Sequence, residues 1–117
     1  MKKVIVYGIP NCDTTKKALS WFKKNAVAVE FHDYKIAGIG KEKLTGWINK
    51  AGIDIVMNKR STTWRELPVT VQQTITGTDA AIKLMIENTS LIKRPVIEYR
   101  AKLLIGYDEG ALKKEFL

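Results

Sequence analysis

The sequence predicts an α/β domain organised on a mixed sheet of about four strands. Three observations carry this. Two β-branched and aromatic runs, Lys3 to Tyr7 and Val29 to Tyr34, flank a stretch with helical spacing, which reads β-α-β. Two further apolar runs, Val96 to Arg100 and Lys102 to Ile105, are joined by a very short turn at Arg100-Ala101, a hairpin signal though without an Asn-Gly or Asp-Gly pair, which suggests a mixed rather than purely parallel sheet. With 117 residues and no linker, repeat or low-complexity segment, the chain fits one domain.

The elements follow in order. Gly8-Ile9-Pro10-Asn11 ends the first strand. From Asp13 a helix is predicted, with Ala18, Leu19 and Phe22 on one side, Lys16, Lys17, Lys23 and Lys24 on the other, and Asn25 as its stop. After the second strand, Gly38-Ile39-Gly40 reads as a loop. A helix with the stripe Leu44, Trp47, Ile48 and Ala51 ends at Gly52. Asn58 to Trp64 reads as polar and irregular, and Pro68 suits an early helical turn within Arg65 to Ile75. Thr78 caps a helix to about Asn88, with Ala81, Ile82, Met85 and Ile86 available for burial, and Asp108 caps a last helix through Phe116.

Composition narrows the class. The hydrophobic fraction is 45%, with 27% charged residues, as in ordinary globular proteins. No apolar run reaches the roughly 18 residues of a membrane span, so no membrane association is expected. The N-terminus starts like a signal peptide, but its apolar stretch stops at Gly8 and Pro10 and reads as a buried strand. The net charge of +8 raises the question of nucleic acid. The lysines come in scattered pairs with acids between them, so a solvated basic surface, without nucleic-acid binding, is the expectation.

The chain has one cysteine, Cys12, and one histidine, His32. An internal disulfide is impossible, and one Cys with one His cannot fill a four-ligand metal site, so no metal is expected. A lone cysteine with no apparent targeting segment fits a reducing, cytoplasmic setting. By default such a residue is a small buried hydrophobe. Its position argues otherwise, because Cys12 follows the first strand and begins the first helix. Free N–H groups and the positive end of the helix dipole stabilise a thiolate there. A thiol of pKa about 8.5 is only about 3% ionised at neutral pH, so each unit of depression multiplies the nucleophile up to about tenfold. Asp13 opposes this as a neighbouring carboxylate. Thr15 and Ile9 stand where a Cys-x-x-Cys partner would be, so a mixed disulfide at Cys12 must be resolved by an outside thiol, glutathione or a glutaredoxin-like protein.

Arg60, in Asn58-Lys59-Arg60-Ser61-Thr62-Thr63-Trp64-Arg65, and Arg94, before Pro95, are the arginines whose context suggests anion binding; each by itself reads as a surface residue. Pro95 by itself reads as a trans proline. His32 and Trp47 read as structural, Met57 and Met85 as core filler, and Trp64 as a possible pocket wall.

Four stretches carry a family resemblance: Tyr-Gly-Ile-Pro-Asn-Cys-Asp-Thr-Thr-Lys-Lys-Ala at 7–18, Phe-His-Asp-Tyr at 31–34, Asn-Lys-Arg-Ser-Thr-Thr-Trp-Arg at 58–65 and Leu-Ile-Lys-Arg-Pro-Val at 91–96. Together they resemble the ArsC/Spx family, and more closely its YffB-like branch. The resemblance implies a thioredoxin-like mixed four-stranded sheet with a helical insertion between the second and third strands. It implies one domain over 1–117, with the core at about 1–35 and 89–117 and the insertion at about 36–88. In the family's arsenate reductases the cysteine matching Cys12 attacks arsenate, the arginines matching Arg60 and Arg94 hold the anion, and the proline matching Pro95 is cis beside the active site. The chain departs from those enzymes in having Gly8 where they carry a histidine and Gly106-Tyr107-Asp108 where they carry a third arginine.

The resulting expectation is a glutathione-dependent thiol reductase, monomeric and cytoplasmic. Cys12 is its catalytic residue, and Arg60, Arg94, Asn11, Thr14 and Pro95 form the anion- or glutathione-binding set. Glutathione is the co-substrate, a small anionic substrate or a glutaredoxin-like protein the partner. The alternatives are a glutathione- or glutaredoxin-dependent arsenate reductase and a non-enzymatic, Spx-like regulator that binds a protein partner.

Overall fold

In the computed structural model, which describes residues 3–75 and 77–117, the sheet is assembled around β1 (Val4–Gly8). Val4, Val6, Tyr7 and Gly8 are buried, which explains the nearly continuous apolar run. β2 (Val29–Asp33) pairs parallel to β1, β3 (Val96–Tyr99) pairs antiparallel to it, and β4 (Lys102–Ile105) continues from β3 as a hairpin, giving the order β2-β1-β3-β4. The mixed four-stranded sheet predicted from sequence is therefore present. Arg100 takes the hairpin's left-handed position, φ 57°.

α1 (Asp13–Lys24) connects β1 to β2 and buries Thr15, Ala18, Trp21 and Phe22. Trp21 takes a core place that the spacing argument had given to Leu19, which is only half-buried. The helix stops through bonds from Ala26 N to Lys23 O (3.2 Å) and from Val27 N to Phe22 O (2.9 Å), with Ala26 left-handed at φ 56°. This is a Schellman ending built on alanine rather than glycine. The sheet's core joins Val4, Val6, Ala18, Trp21, Phe22, Ile97 and Leu112, the last from α8 (Glu109–Phe116). Phe22 meets Trp21 and Phe116 edge-on, at ring distances of 5.4 and 5.0 Å. Asp108 caps α8 by accepting from Ala111 N at 3.2 Å, as its sequence position predicts.

The chain divides into two compact units. One runs from the N-terminus to Ala37 and resumes at Arg94–Leu117; the other is Gly38–Lys93. Residues 89–93 go with the second unit, not with the core to which the sequence assigned them. Asn58 N donates to Leu91 O at 2.7 Å and Lys93 N to Val56 O at 2.8 Å, tying that segment to its own unit. Between β2 and the second unit lies α2 (Tyr34–Ala37), a helical turn where the sequence suggested the end of a strand.

The second unit is helical: α3 (Lys41–Ala51), α4 (Ile53–Val56), α5 (Thr62–Glu66), α6 (Val69–Thr74), α7 (Thr78–Glu87) and a 3-10 turn at Thr89–Leu91. Leu44, Trp47, Val56, Met57, Ala81, Ile82, Met85, Leu91 and Ile92 are its buried side chains. Gly52, φ 94°, ends α3 in a conformation that disfavours other residues. Three expectations change here. The loop read at Asn58 to Trp64 contains the start of α5, because Ser61 is an N-cap whose Oγ accepts from Trp64 N at 3.2 Å. Ile86 is not core but 38% exposed. Pro68 precedes α6 at its N-cap.

Candidate active site

The register of the sheet builds the site. Tyr7 pairs with Val96, so the loop leaving β1 and the Arg94-Pro95 segment entering β3 lie at the same end of neighbouring strands. Cys12 is the N-cap residue of α1, in extended backbone (φ −95°, ψ 127°), and no side-chain oxygen caps the helix there. Its own N–H is held by Ile9 O at 3.3 Å and its carbonyl accepts from Lys16 N at 2.9 Å. The sulfur thus occupies the place where Ser or Asp would present an oxygen to the first-turn amides.

Three groups surround that sulfur. Thr14 Oγ1 lies 3.2 Å from Cys12 Sγ and donates to the Arg94 carbonyl at 3.1 Å, which fastens the start of α1 to the start of β3. Thr15, the third residue of α1, is fully buried. Arg94 contributes positive charge. Burial pushes the Cys12 thiol up, but the Thr14 hydroxyl, the Thr15 N–H and hydroxyl, and the Arg94 charge outweigh it and hold the pKa at about 7. At pH 7 about half of such a thiol is ionised, against about 3% of an ordinary one. Cys12 is half-exposed, so the thiolate is open to a reactant. It is not the sealed core residue that a lone cysteine is by default.

The other predicted residues are placed as follows. Asn11 is exposed in the turn before Cys12. The Arg94–Pro95 bond is cis, against the trans expectation from composition and in line with the resemblance; Pro95 O accepts from Gly106 N at 2.8 Å. Arg60 belongs to the second unit, exposed in the turn after Met57, where its N–H donates to Asn58 Oδ1 at 3.1 Å. Cys12, Thr14, Arg94 and Pro95 share the first unit, where Thr14 touches both the Cys12 sulfur and the Arg94 carbonyl.

Behind the site, Tyr7 donates to Glu98 at 2.5 Å and packs its ring 4.8 Å from that of His32. Burial and then the Glu98 bond push the Tyr7 phenol up, and burial does the same for Tyr34, so both stay protonated. His32 is accordingly part of an aromatic layer, as the sequence suggested.

Two residues at the site were missed. Thr15 figured in the sequence only as a missing second cysteine, and Gly8 only as a departure from a family pattern. Thr15 stands three and four residues before Ala18 and Leu19, so a polar residue on the helix's apolar face was the available signal.

The ArsC family model matches residues 7–114, from the strand before Cys12 to the last helix. The chain belongs to the ArsC family. An uncharacterized protein of Haemophilus influenzae is 42% identical over 113 residues, covering 97% of this chain and 98% of that one. The global transcriptional regulator Spx of Streptococcus agalactiae is 28% identical, over 89% of this chain and 76% of its own. Among solved structures, the YFFB protein superposes with a TM-score of 0.93 at 38% identity, over 98% of this chain and 100% of that one. An arsenate reductase-related protein from Brucella melitensis gives a TM-score of 0.75 at 35% identity, over 97% and 94%. These similarities accord with the thioredoxin-like fold of this ArsC-family chain.

Proposed function

We propose that this ArsC-family protein is a thiol reductase that uses glutathione as its reductant. The observation that carries the proposal is the half-exposed Cys12 sulfur at the N-cap of α1, held at a pKa of about 7 with no second cysteine in the chain.

The chemistry balances with one protein thiol. The Cys12 thiolate attacks one sulfur of a glutathione mixed disulfide; a Cys12–glutathione disulfide forms and the substrate leaves as its thiolate. A second glutathione thiolate then attacks the glutathione sulfur of that adduct, which releases oxidised glutathione and returns Cys12 as thiolate. The net exchange consumes one free glutathione thiolate per substrate: its sulfur joins the glutathione half of the mixed disulfide as oxidised glutathione, and the substrate sulfur leaves reduced. A sulfur with a pKa near ambient pH suits both roles, since it is substantially ionised when it attacks and is a good leaving group afterwards. Arg94 supplies a guanidinium for a glutathione carboxylate.

The test is turnover of a small-molecule–glutathione mixed disulfide, coupled to NADPH through glutathione reductase, with mass spectrometry of the protein. The expected result is turnover that Cys12→Ser abolishes, and a single glutathione adduct on Cys12 when reductant is limiting. Absence of both turnover and adduct would refute the proposal and turn attention to a regulatory role, the one that the name of the Spx relative states for that protein.

A further inference from the structure

A cleft of about 510 Å³ lies between α1 and α8, within the first unit. Its volume falls in the range of ligand-binding sites. Lys16, Lys17 and Lys24 of α1, Glu109 and Lys113 of α8, and Tyr107 are among its lining residues. Four cations thus share the cleft with one carboxylate, and that carboxylate is already paired, Lys113 Nζ lying 3.6 Å from Glu109 Oε1. Lys16, Lys17 and Lys24 are exposed and, among the described residues, form no ion pair. Like charges lining a concave surface focus a positive potential, which draws an anion in.

Both walls of the cleft start at the active site. Cys12 is the N-cap of α1, and positions 16, 20 and 24 follow it at four-residue steps, along one ridge of the helix. On the other wall, Tyr107 comes directly after Gly106, whose N–H donates to Pro95 O at 2.8 Å. The cleft therefore opens about one helical turn from the reacting sulfur and runs away from it along α1.

We infer that, on the reading that Cys12 reduces glutathione mixed disulfides, this cleft holds an acidic peptide segment beside the glutathionylated cysteine of a protein substrate. The spread of the charge favours a peptide over a phosphate group. A single phosphate is gripped by donors that converge on it, whereas Lys16 and Lys24 are two turns apart, about 12 Å along the helix axis. An extended peptide advances about 3.3 Å per residue and turns alternate side chains to one side, so three acids at alternate positions span about 13 Å. With the first of them one turn from the sulfur, the acids fall about two to six residues from the substrate cysteine.

The test compares two synthetic peptides, each with one S-glutathionylated cysteine. One has Glu and the other Gln at the second, fourth and sixth positions on both sides of it. Turnover with glutathione is followed through glutathione reductase at low and high salt. At low salt kcat/KM should be about tenfold higher for the Glu peptide, and the preference should shrink at high salt. The Lys16→Gln/Lys24→Gln double variant should cut it to about threefold; taking the ratio of the two peptides on one enzyme cancels any general loss of activity. Equal kcat/KM for the two peptides, or an undiminished preference in the double variant, would overturn the proposal while leaving the reductase reading in place. Binding gives an arm that needs no turnover: fluorescein-labelled peptides with serine in place of the modified cysteine are titrated with Cys12→Ser protein and followed by anisotropy. The Glu peptide should bind about tenfold more tightly than the Gln peptide. Equal binding would overturn the cleft's role, whereas a clear preference with no turnover of either peptide would refute the reductase reading instead. An oligonucleotide of equal charge that displaces the Glu peptide at lower concentration than its own unlabelled form would assign the cleft to phosphates, and so also overturn the proposal.

Discussion

Thr14 and Arg94, eighty residues apart in the chain, are joined by a 3.1 Å hydrogen bond from the hydroxyl of one to the carbonyl of the other. The same hydroxyl is 3.2 Å from the Cys12 sulfur. One small side chain therefore couples the helix that begins at the nucleophile to the segment that carries the cation into β3.

Thr14→Val breaks both contacts. The Cys12 pKa should rise above about 7, and stability should fall by about 1 kcal/mol for the lost bond. Arg94→Gln leaves the carbonyl in place and removes only the charge, which is the smallest of the influences holding the thiol down. It should raise the pKa less than Thr14→Val does. Thiolate absorbance and urea unfolding of the two variants check the order.

The thiol also makes stability depend on pH. Its folded pKa of about 7 lies below the unfolded value of about 8.5. Between these values the unfolded chain binds more protons, so the stabilisation is complete above about 8.5 and is lost as the pH falls through about 7. The urea midpoint of the wild type, relative to Cys12→Ser, should therefore be higher at pH 9 than at pH 6. A constant difference would show that the folded and unfolded thiols titrate alike.

Ala26 closes α1 in the left-handed region, φ 56°, where an L residue is strained and glycine is not. Ala26→Gly should stabilise the protein by about 0.5–1 kcal/mol, measured by urea or thermal unfolding. It lies at the far end of the helix from Cys12, and the thiol titration should not move.

Phe22 is fully buried against Trp21 and Phe116. Phe22→Ala should cost about 3–5 kcal/mol, the loss typical of an aromatic cavity in a core. Equilibrium denaturation gives the value directly.

The order of elements was legible because each strand and helix of the first unit carries its own period. The β1 run, the Lys/apolar split of α1 and the Asp108 cap are all local signals. Cys12 at the start of α1 could be read in the same way, since a strand, a Gly-Pro turn and a helical stripe bracket it. The short helices α4 and α5 were missed because four or five residues are too few to show a period. Only the Ser61 cap marked α5, inside a stretch whose polar composition suggested a loop. The cis Arg94–Pro95 bond has no local signature and entered only through resemblance. A Cβ on Gly8 would lie 2.6 Å from Thr15 Oγ1, a steric exclusion across a strand–helix turn, and no pattern of residue types encodes such a distance.

The proposed chemistry depends on the ionisation of one sulfur, and the pH dependence of Cys12 alkylation by iodoacetamide measures it most directly. The rate should follow a single titration with its midpoint near 7. A midpoint at or above about 8.5, the value of an unperturbed thiol, would mean that the start of α1, Thr14 and Arg94 do nothing for the cysteine they surround.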